Sequence, residues 1–260
     1  MASGNPYEEG GAALAQLRPL GLQPGVCLLQ RNMTNRNPTF RLPHSGRATR
    51  RISHRSKGSL RGALVARLPA DRHPRKIVFE SKLEERFLFL ALARLDVHDI
   101  WDQPPAVTYR DGAGRSRTHT FDYRIVFTSG QTAAIAIKPL ALVRRRDFVA
   151  DLQCVKAHVP KSFAQKVLLI TDREVNRSEA QNAARFHEFS RTPDLEADVA
   201  LADLLIALSG QHRIADLVEK IALDGRGYRS IIRAIYRGQL DAPRKNLIDY
   251  DTMVKVEVTQ

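Results

Sequence analysis

The sequence predicts an α/β protein: a mixed-sheet core with helices against it, a basic flexible arm before it and a smaller helical domain after it. Three patterns predict this. An amphipathic helix beginning near Phe79 precedes residues 119–138, which alternate as a strand pair. A helix over 144–159 followed by the apolar run Val167-Leu-Leu-Ile-Thr171 reads as a crossover into a parallel strand. After Thr192, three helical segments with start and stop signals follow one another. The arm is expected over 1–75, the core over 76–175 and the helical domain over 176–260.

The chain's 260 residues can bury one sizeable core or two small ones, and a net charge of +13 points to a polyanionic partner. Two cysteines permit neither a disulfide framework nor a cysteine zinc site, so reducing cytosol is the expected compartment. No leader pattern and no run of about 18 apolar residues is found, so neither secretion nor membrane insertion is expected. Arg47, Arg50, Arg51, His54, Arg55, Lys57 and Arg61 crowd a stretch with hardly an apolar anchor. Such a segment cannot offset its ordering entropy. It serves either as a solubilising tail or as an arm tracking a DNA backbone, through Arg50, Arg51, Arg55 and Lys57.

In the helix after Phe79, Leu83, Phe87, Leu90, Ala91 and Leu95 share a face, with Glu84 inside that arc and Glu80 near it. A carboxylate on a buried face must be neutralised, hydrogen-bonded or metal-bound. Ser81-Lys-Leu-Glu84 also spells a capping box, which would account for Glu84 without chemistry. Residues 99–108 read as a linker into a strand over 106–109, with Trp101 in the core, and Asp111-Gly-Ala-Gly114 as a plain turn. No helix follows those glycines, so they make no phosphate loop. His98 and His119 lack metal-ligand spacing.

From His119 to Phe127 the residues Phe121, Tyr123, Ile125 and Phe127 alternate with Asp122, Arg124 and Val126. A three-residue loop, Thr128-Ser-Gly130, with Gly130 left-handed, sets Asp122 opposite Ala136 and makes Lys138 its diagonal neighbour. Singly, an aspartate on a strand and a lysine at its end are ordinary solvated charges. Together with Glu84 they suggest metal-assisted phosphodiester cleavage. The next helix opens with Arg144, Arg145 and Arg146, against the dipole, which suggests phosphate nearby; it buries Phe148, Leu152, Val155 and Val159.

In the C-terminal part Thr192 is expected to cap a helix, and helices over 213–222 and 227–236 follow. Arg229, Arg233 and Arg237 recur every four residues as a basic stripe opposite Ile231, Ile232 and Ile235. Two helices joined by a short glycine turn fit a helix-turn-helix, with Met253–Val258 as a wing. A three-helix cap with a solvated face fits the same pattern.

The series Phe79-Glu-Ser-Lys-Leu-Glu84, Asp102-Gln-Pro104, Thr120-Phe-Asp122-Tyr and Ile135-Ala-Ile-Lys138-Pro resembles the TnsA-type endonuclease subunit of heteromeric DNA transposases, a branch of the PD-(D/E)xK nuclease fold. The resemblance runs from about Arg47 to the C-terminus. It implies a restriction-endonuclease-like mixed sheet with a helical, winged-helix-like C-terminal domain. Glu84 and Asp122 would ligate Mg2+ or Mn2+, and Lys138 would hold the attacking water or the phosphate. Ala136 departs from the pattern, which has Glu or Gln there, and a methyl group cannot ligate; Glu80 would then supply an oxygen from one helical turn before Glu84. The implied activity is nicking of one strand of double-stranded DNA at transposon ends, in the bacterial cytoplasm at the nucleoid. The implied partners are a DDE-type transposase and an AAA+ ATPase regulator that the C-terminal domain engages. Other readings of the residues are a nuclease-impaired DNA-binding scaffold, a winged-helix transcriptional regulator and a restriction-type nuclease.

Overall fold

The computed structural model describes residues 42–50 and 60–256. A hairpin of β1 (Gly62–Ala66) and β2 (Arg75–Phe79) comes first. It corrects the expectation of a flexible arm reaching to residue 75, because Ala66, Ile77 and Phe79 are core residues. Two of the charges that suggested an arm have partners, Arg47 with Asp99 and Arg50 with Glu80, and the buried Arg75 guanidinium lies 2.9 Å from Asp71 and 3.0 Å from Asp99. Residues 42–50 also lie on the core. The Arg47 amide donates to Asp102 at 3.3 Å, and the Arg47 carbonyl accepts from the Trp101 indole at 2.8 Å. Arg51, Arg55 and Lys57 fall outside the described residues.

Helix α1 (Lys82–Leu92) buries Glu84, Phe87, Leu88 and Ala91. It stops at Leu92, which leaves Leu95 exposed and not on the apolar face. The segment read as a linker, 99–108, begins inside strand β3 (Val97–Asp102). Its carboxylates disguised it, and they are spoken for: Asp99 pairs with Arg47 and Arg75, and Asp102 accepts from the Val78 amide at 3.0 Å. Next come β4 (Val107–Arg110) and β5 (Ser116–His119), an antiparallel ribbon separate from the main sheet. The strand expected from His119 to Phe127 is therefore broken at 120–122, and β6 (Tyr123–Phe127) starts after Asp122. A three-residue turn with Gly130 at φ +80° leads to β7 (Thr132–Ile137). The register runs Tyr123 to Ile135 and Val126 to Thr132, and its extension sets Asp122 opposite Ala136 as the spacing predicts.

Two helices, α2 (Leu140–Arg145) and α3 (Phe148–His158), stand where one was expected, separated by left-handed Asp147 at φ +48°. The arginine triplet thus ends a helix instead of opening one. Arg144 and Arg145 occupy the last turn of α2, where the dipole favours cations, and the case for a nearby phosphate built on an opposed dipole falls away. β8 (Lys166–Ile170) runs parallel to β7, and the main sheet has the order β3-β6-β7-β8. One face packs on α1 through Tyr123, Ile125, Ile135 and Phe87, the other on α3 through Ala134, Ala136, Leu152 and Val155.

Helix α4 (Arg177–Arg191), unforeseen because its composition is so polar, links the two ends of the chain: its His187 ring lies 5.8 Å from Phe89 of α1, and its Phe186 stacks on Tyr236 at 4.5 Å. Then follow α5 (Leu195–Ile206), β9 (Gly210–Arg213), α6 (Ile214–Ile221), α7 (Asp224–Tyr236), β10 (Leu240–Asp241) and β11 (Met253–Val256), with sheet order β10-β11-β9. Asp194, not Thr192, caps α5, accepting from the Ala197 amide at 3.2 Å. The basic stripe of α7 is not a free surface. Arg233 is fully buried and paired with Asp198, and Arg237 lies 3.5 Å from the same carboxylate. Only Arg229 of the three lacks such a partner among the described residues, so the stripe is not the open basic face that the spacing predicts.

A buried guanidinium with one carboxylate partner is expensive to disturb. Arg233→Met should destabilise the protein by about 3 kcal/mol in urea unfolding, because Asp198 keeps only the more distant Arg237 as counter-charge. Adding Asp198→Leu should recover part of the loss; an unaltered midpoint for Arg233→Met would refute the structural role.

Candidate functional site

Three elements deliver the candidate residues. The Asp122 amide donates to the Ile135 carbonyl at 2.9 Å, which extends the β6–β7 ladder by one rung, and its Oδ2 accepts from the Ile137 amide at 2.6 Å. Lys138 follows β7 directly and is held by its own amide donating to the Ile170 carbonyl at 3.0 Å. Its Nζ comes 3.7 Å from Asp122 Oδ2. On the far side of the hairpin, the Phe87 ring stacks on Tyr123 at 5.9 Å, and the Tyr123 hydroxyl donates to the Val78 carbonyl at 3.0 Å. That contact fixes α1, and Glu84 stands one turn before Phe87.

Glu84 is held as the capping box predicts, with one difference. The Ser81 hydroxyl accepts from the Glu84 amide at 3.1 Å and donates to Oε1 at 2.9 Å, while Oε2 accepts from the amide of Glu80, one residue earlier than expected. The capping role and proximity to Asp122 coexist. Burial and then the negative charge of Asp122 push the Glu84 carboxyl up to about 7, against the pull of its hydrogen bonds and of Lys138. Burial likewise raises Asp122, with Lys138 and the Ile137 amide opposing. Asp122 raises Glu84, and Lys138 lowers both carboxyls, which ties the three groups together electrostatically.

Glu80 is not where the spacing put it. It precedes α1 instead of occupying the turn before Glu84, since Ser81 is the cap, and its carboxylate is paired with Arg50. Both groups still act on Asp122, Glu80 raising its pKa and Arg50 lowering it. Among the described residues no group of three or more His, Cys, Asp or Glu side chains is placed to hold a metal ion. Each carboxylate has its own protein partner. Ala136 is fully buried against α3, so nothing replaces the missing oxygen from that position. Two carboxylates that each keep a protein partner do not make a closed all-protein metal site.

Sequence reasoning missed two supporting residues. Gln103 takes a left-handed backbone at φ +42°, and its amide donates to the Asp122 carbonyl at 2.9 Å while its own carbonyl accepts from Thr49. The non-glycine residue between Asp102 and two prolines carried no signal of that conformation. His119 lies beside the site: its ring is 6.0 Å from Phe148, whose other neighbour is Lys138 Nζ at 6.0 Å. Burial, aided by the Lys138 charge, pushes its pKa down to about 4, so the ring is neutral at pH 7. Compared with known proteins, the chain matches no family model, and no curated protein matches its sequence.

The raised Glu84 carboxyl fixes the sign of a pH effect. Between its ordinary 4.5 and about 7 the folded state holds a proton that the unfolded chain has lost, so stability falls as pH rises through that window. Relative to Glu84→Gln, which keeps the cap but cannot ionise, the wild type should lose up to roughly 3 kcal/mol from pH 4.5 to 8. Parallel pH profiles in urea unfolding would contradict a carboxylate crowded by Asp122.

Proposed function

We propose that this chain is the DNA-cutting subunit of a TnsA-type transposition system, a metal-dependent endonuclease with a PD-(D/E)xK core. The observation that carries the reading is the Asp122–Lys138 pair at the end of a hairpin whose register sets them on one face, with Glu84 coupled to both. The mixed sheet in the order β3-β6-β7-β8, with a helix before the hairpin and helices between its last two strands, supports the fold assignment. In the C-terminal unit, the order α5-β9-α6-α7-β10-β11 and the sheet β10-β11-β9 support a winged-helix ancestry. No described helix is long and apolar enough to cross a membrane. A place at the bacterial nucleoid, and partners of the DDE-transposase and AAA+ ATPase classes, belong to the same proposal.

In this mechanism Glu84 and Asp122 would hold Mg2+ or Mn2+, which would supply charge neutralisation at the phosphate and a more acidic attacking water. Asp122 is rigid because two backbone hydrogen bonds and Gln103 fix it. Lys138, 3.7 Å from Asp122, would direct its ammonium to the scissile phosphate or the attacking water. Glu84 keeps its amide contact with Glu80 through one oxygen and offers the other. Arg50 and Glu80 close the outer rim.

A second reading, the scaffold that binds DNA and a partner without cutting, is favoured by Ala136 and by an unpartnered apolar stripe on α5. There Leu195, Val199 and Ile206 are 70, 49 and 85 % exposed. Isolated patches of this kind mark partner contacts. Supercoiled plasmid bearing transposon ends, Mg2+ and the neighbouring transposition proteins discriminate the two. Nicking that falls by roughly two orders of magnitude in Asp122→Ala and in Lys138→Ala supports the enzyme; assembly without nicking in every mixture supports the scaffold.

A further inference from the structure

We infer that the β4–β5 ribbon is the element that holds the duplex beside the cut, its solvent-facing side seated against the phosphates of double-stranded DNA. The inference rests on the reading of DNA as substrate and adds which surface grips it. The positive surplus is unevenly shared: residues 172–260 carry 13 Lys and Arg against 15 Asp and Glu, whereas residues 1–171 carry 28 against 13. A polyanion is therefore drawn to the first two-thirds of the chain, and the C-terminal unit offers it no net attraction.

Within that basic part the ribbon has the form a grip requires. Val107 and Tyr109 sink into the apolar layer with Leu152 and Val155, which anchors the ribbon on α3. Cross-strand partners share a face, so Thr108 with Thr118 and Arg110 with Ser116 form an exposed row of hydroxyls and a guanidinium. The tip is fixed by one carboxylate. Asp111 accepts from the Ala113 and Arg115 amides at 3.0 and 2.9 Å, and from Nε of Arg115 and of Arg117 at 3.0 and 2.9 Å. Arg115, at the tip, spends its Nε on Asp111 and keeps its outer nitrogens, with 68 % of the side chain exposed, whereas Arg117, the partner of Tyr109, lies on the anchored face and braces the tip. Charge-bearing donors held in place lose little entropy on meeting phosphate.

Position completes the argument. His119 at the base of β5 shares the Phe148 ring with Lys138, so the ribbon starts at the candidate site. At about 3.3 Å per residue, Arg115 stands roughly 13 Å further out. That reach matches the major groove, which is ~12 Å wide and admits a two-stranded ribbon. A duplex with its scissile phosphate at Lys138 passes along the ribbon's exposed row.

The test is fluorescence anisotropy of the full chain with a labelled duplex of arbitrary sequence, in EDTA so that nothing is cut. Arg110→Ala combined with Arg115→Ala should weaken binding roughly 10- to 100-fold near 0.1 M salt and flatten the slope of log affinity against log salt by about 1.8. Lys220→Ala with Lys255→Ala, on the C-terminal unit, should leave both unchanged. If the ribbon pair lowers the melting temperature, Thr118→Glu tests the same row without touching the tip and should weaken binding to a similar degree. Affinity within about twofold of wild type in the ribbon variants, or an equal loss from the C-terminal pair, overturns the proposal. Wild type that binds but never cuts, while ribbon variants lose binding, upholds the ribbon and removes the nuclease reading; normal binding and cutting by the ribbon variants does the reverse.

Discussion

The register of the β6–β7 hairpin decides which side chains meet at the rim of the sheet. Because strand side chains alternate faces, a slip of one residue would carry Asp122 to the α1 side and bury it among Ile135 and Phe87, leaving Lys138 alone. The turn at Gly130 and the rung between Asp122 and Ile135 exclude that slip. The buried faces enforce it as well, since Tyr123 and Ile125 belong to one core layer and Ala134 and Ala136 to the other.

Glu84 carries two demands at once. As the reciprocal partner of Ser81 it closes the first turn of α1, and as a buried carboxylate near Asp122 it is held in a place where its charge is unwelcome. The cap limits how far it can swing, so in the proposed mechanism a cation would have to come to it. The rigidity of Asp122, tied by Gln103 and Ile137, works in the same direction. Under the proposed function, a substrate phosphate and a divalent ion would have to come to two carboxyls that the protein already holds.

The hairpin and its register were legible because alternation and turn chemistry are local. So was the capping box, from Ser81 and Glu84 alone. What stayed hidden depended on distant partners. β3 reads as a charged linker until Arg47 and Arg75 arrive to neutralise Asp99 and Asp102. The stripe of Arg229, Arg233 and Arg237 reads as a DNA face until the first turn of α5 brings Asp198 against it. The arginines at 144–146 mislead for a different reason: a single left-handed residue, Asp147, splits the helix and turns its expected start into an end. The break between β5 and β6, which frees the ribbon from the main sheet, is likewise invisible in a pattern that alternates straight through it.

The proposed function requires that Glu84, Asp122 and Lys138 surround a single cation-binding point which DNA completes. Iron-mediated cleavage of the protein backbone addresses it most directly: Fe2+ with ascorbate and peroxide, added to the protein–duplex complex, cuts the chain next to wherever the ion sits. Fragments ending near Glu84, near Asp122 and near Lys138, suppressed by excess Mg2+ and lost in Asp122→Ala, are the expected result. Cuts confined to other segments, or unchanged by that substitution, would contradict it.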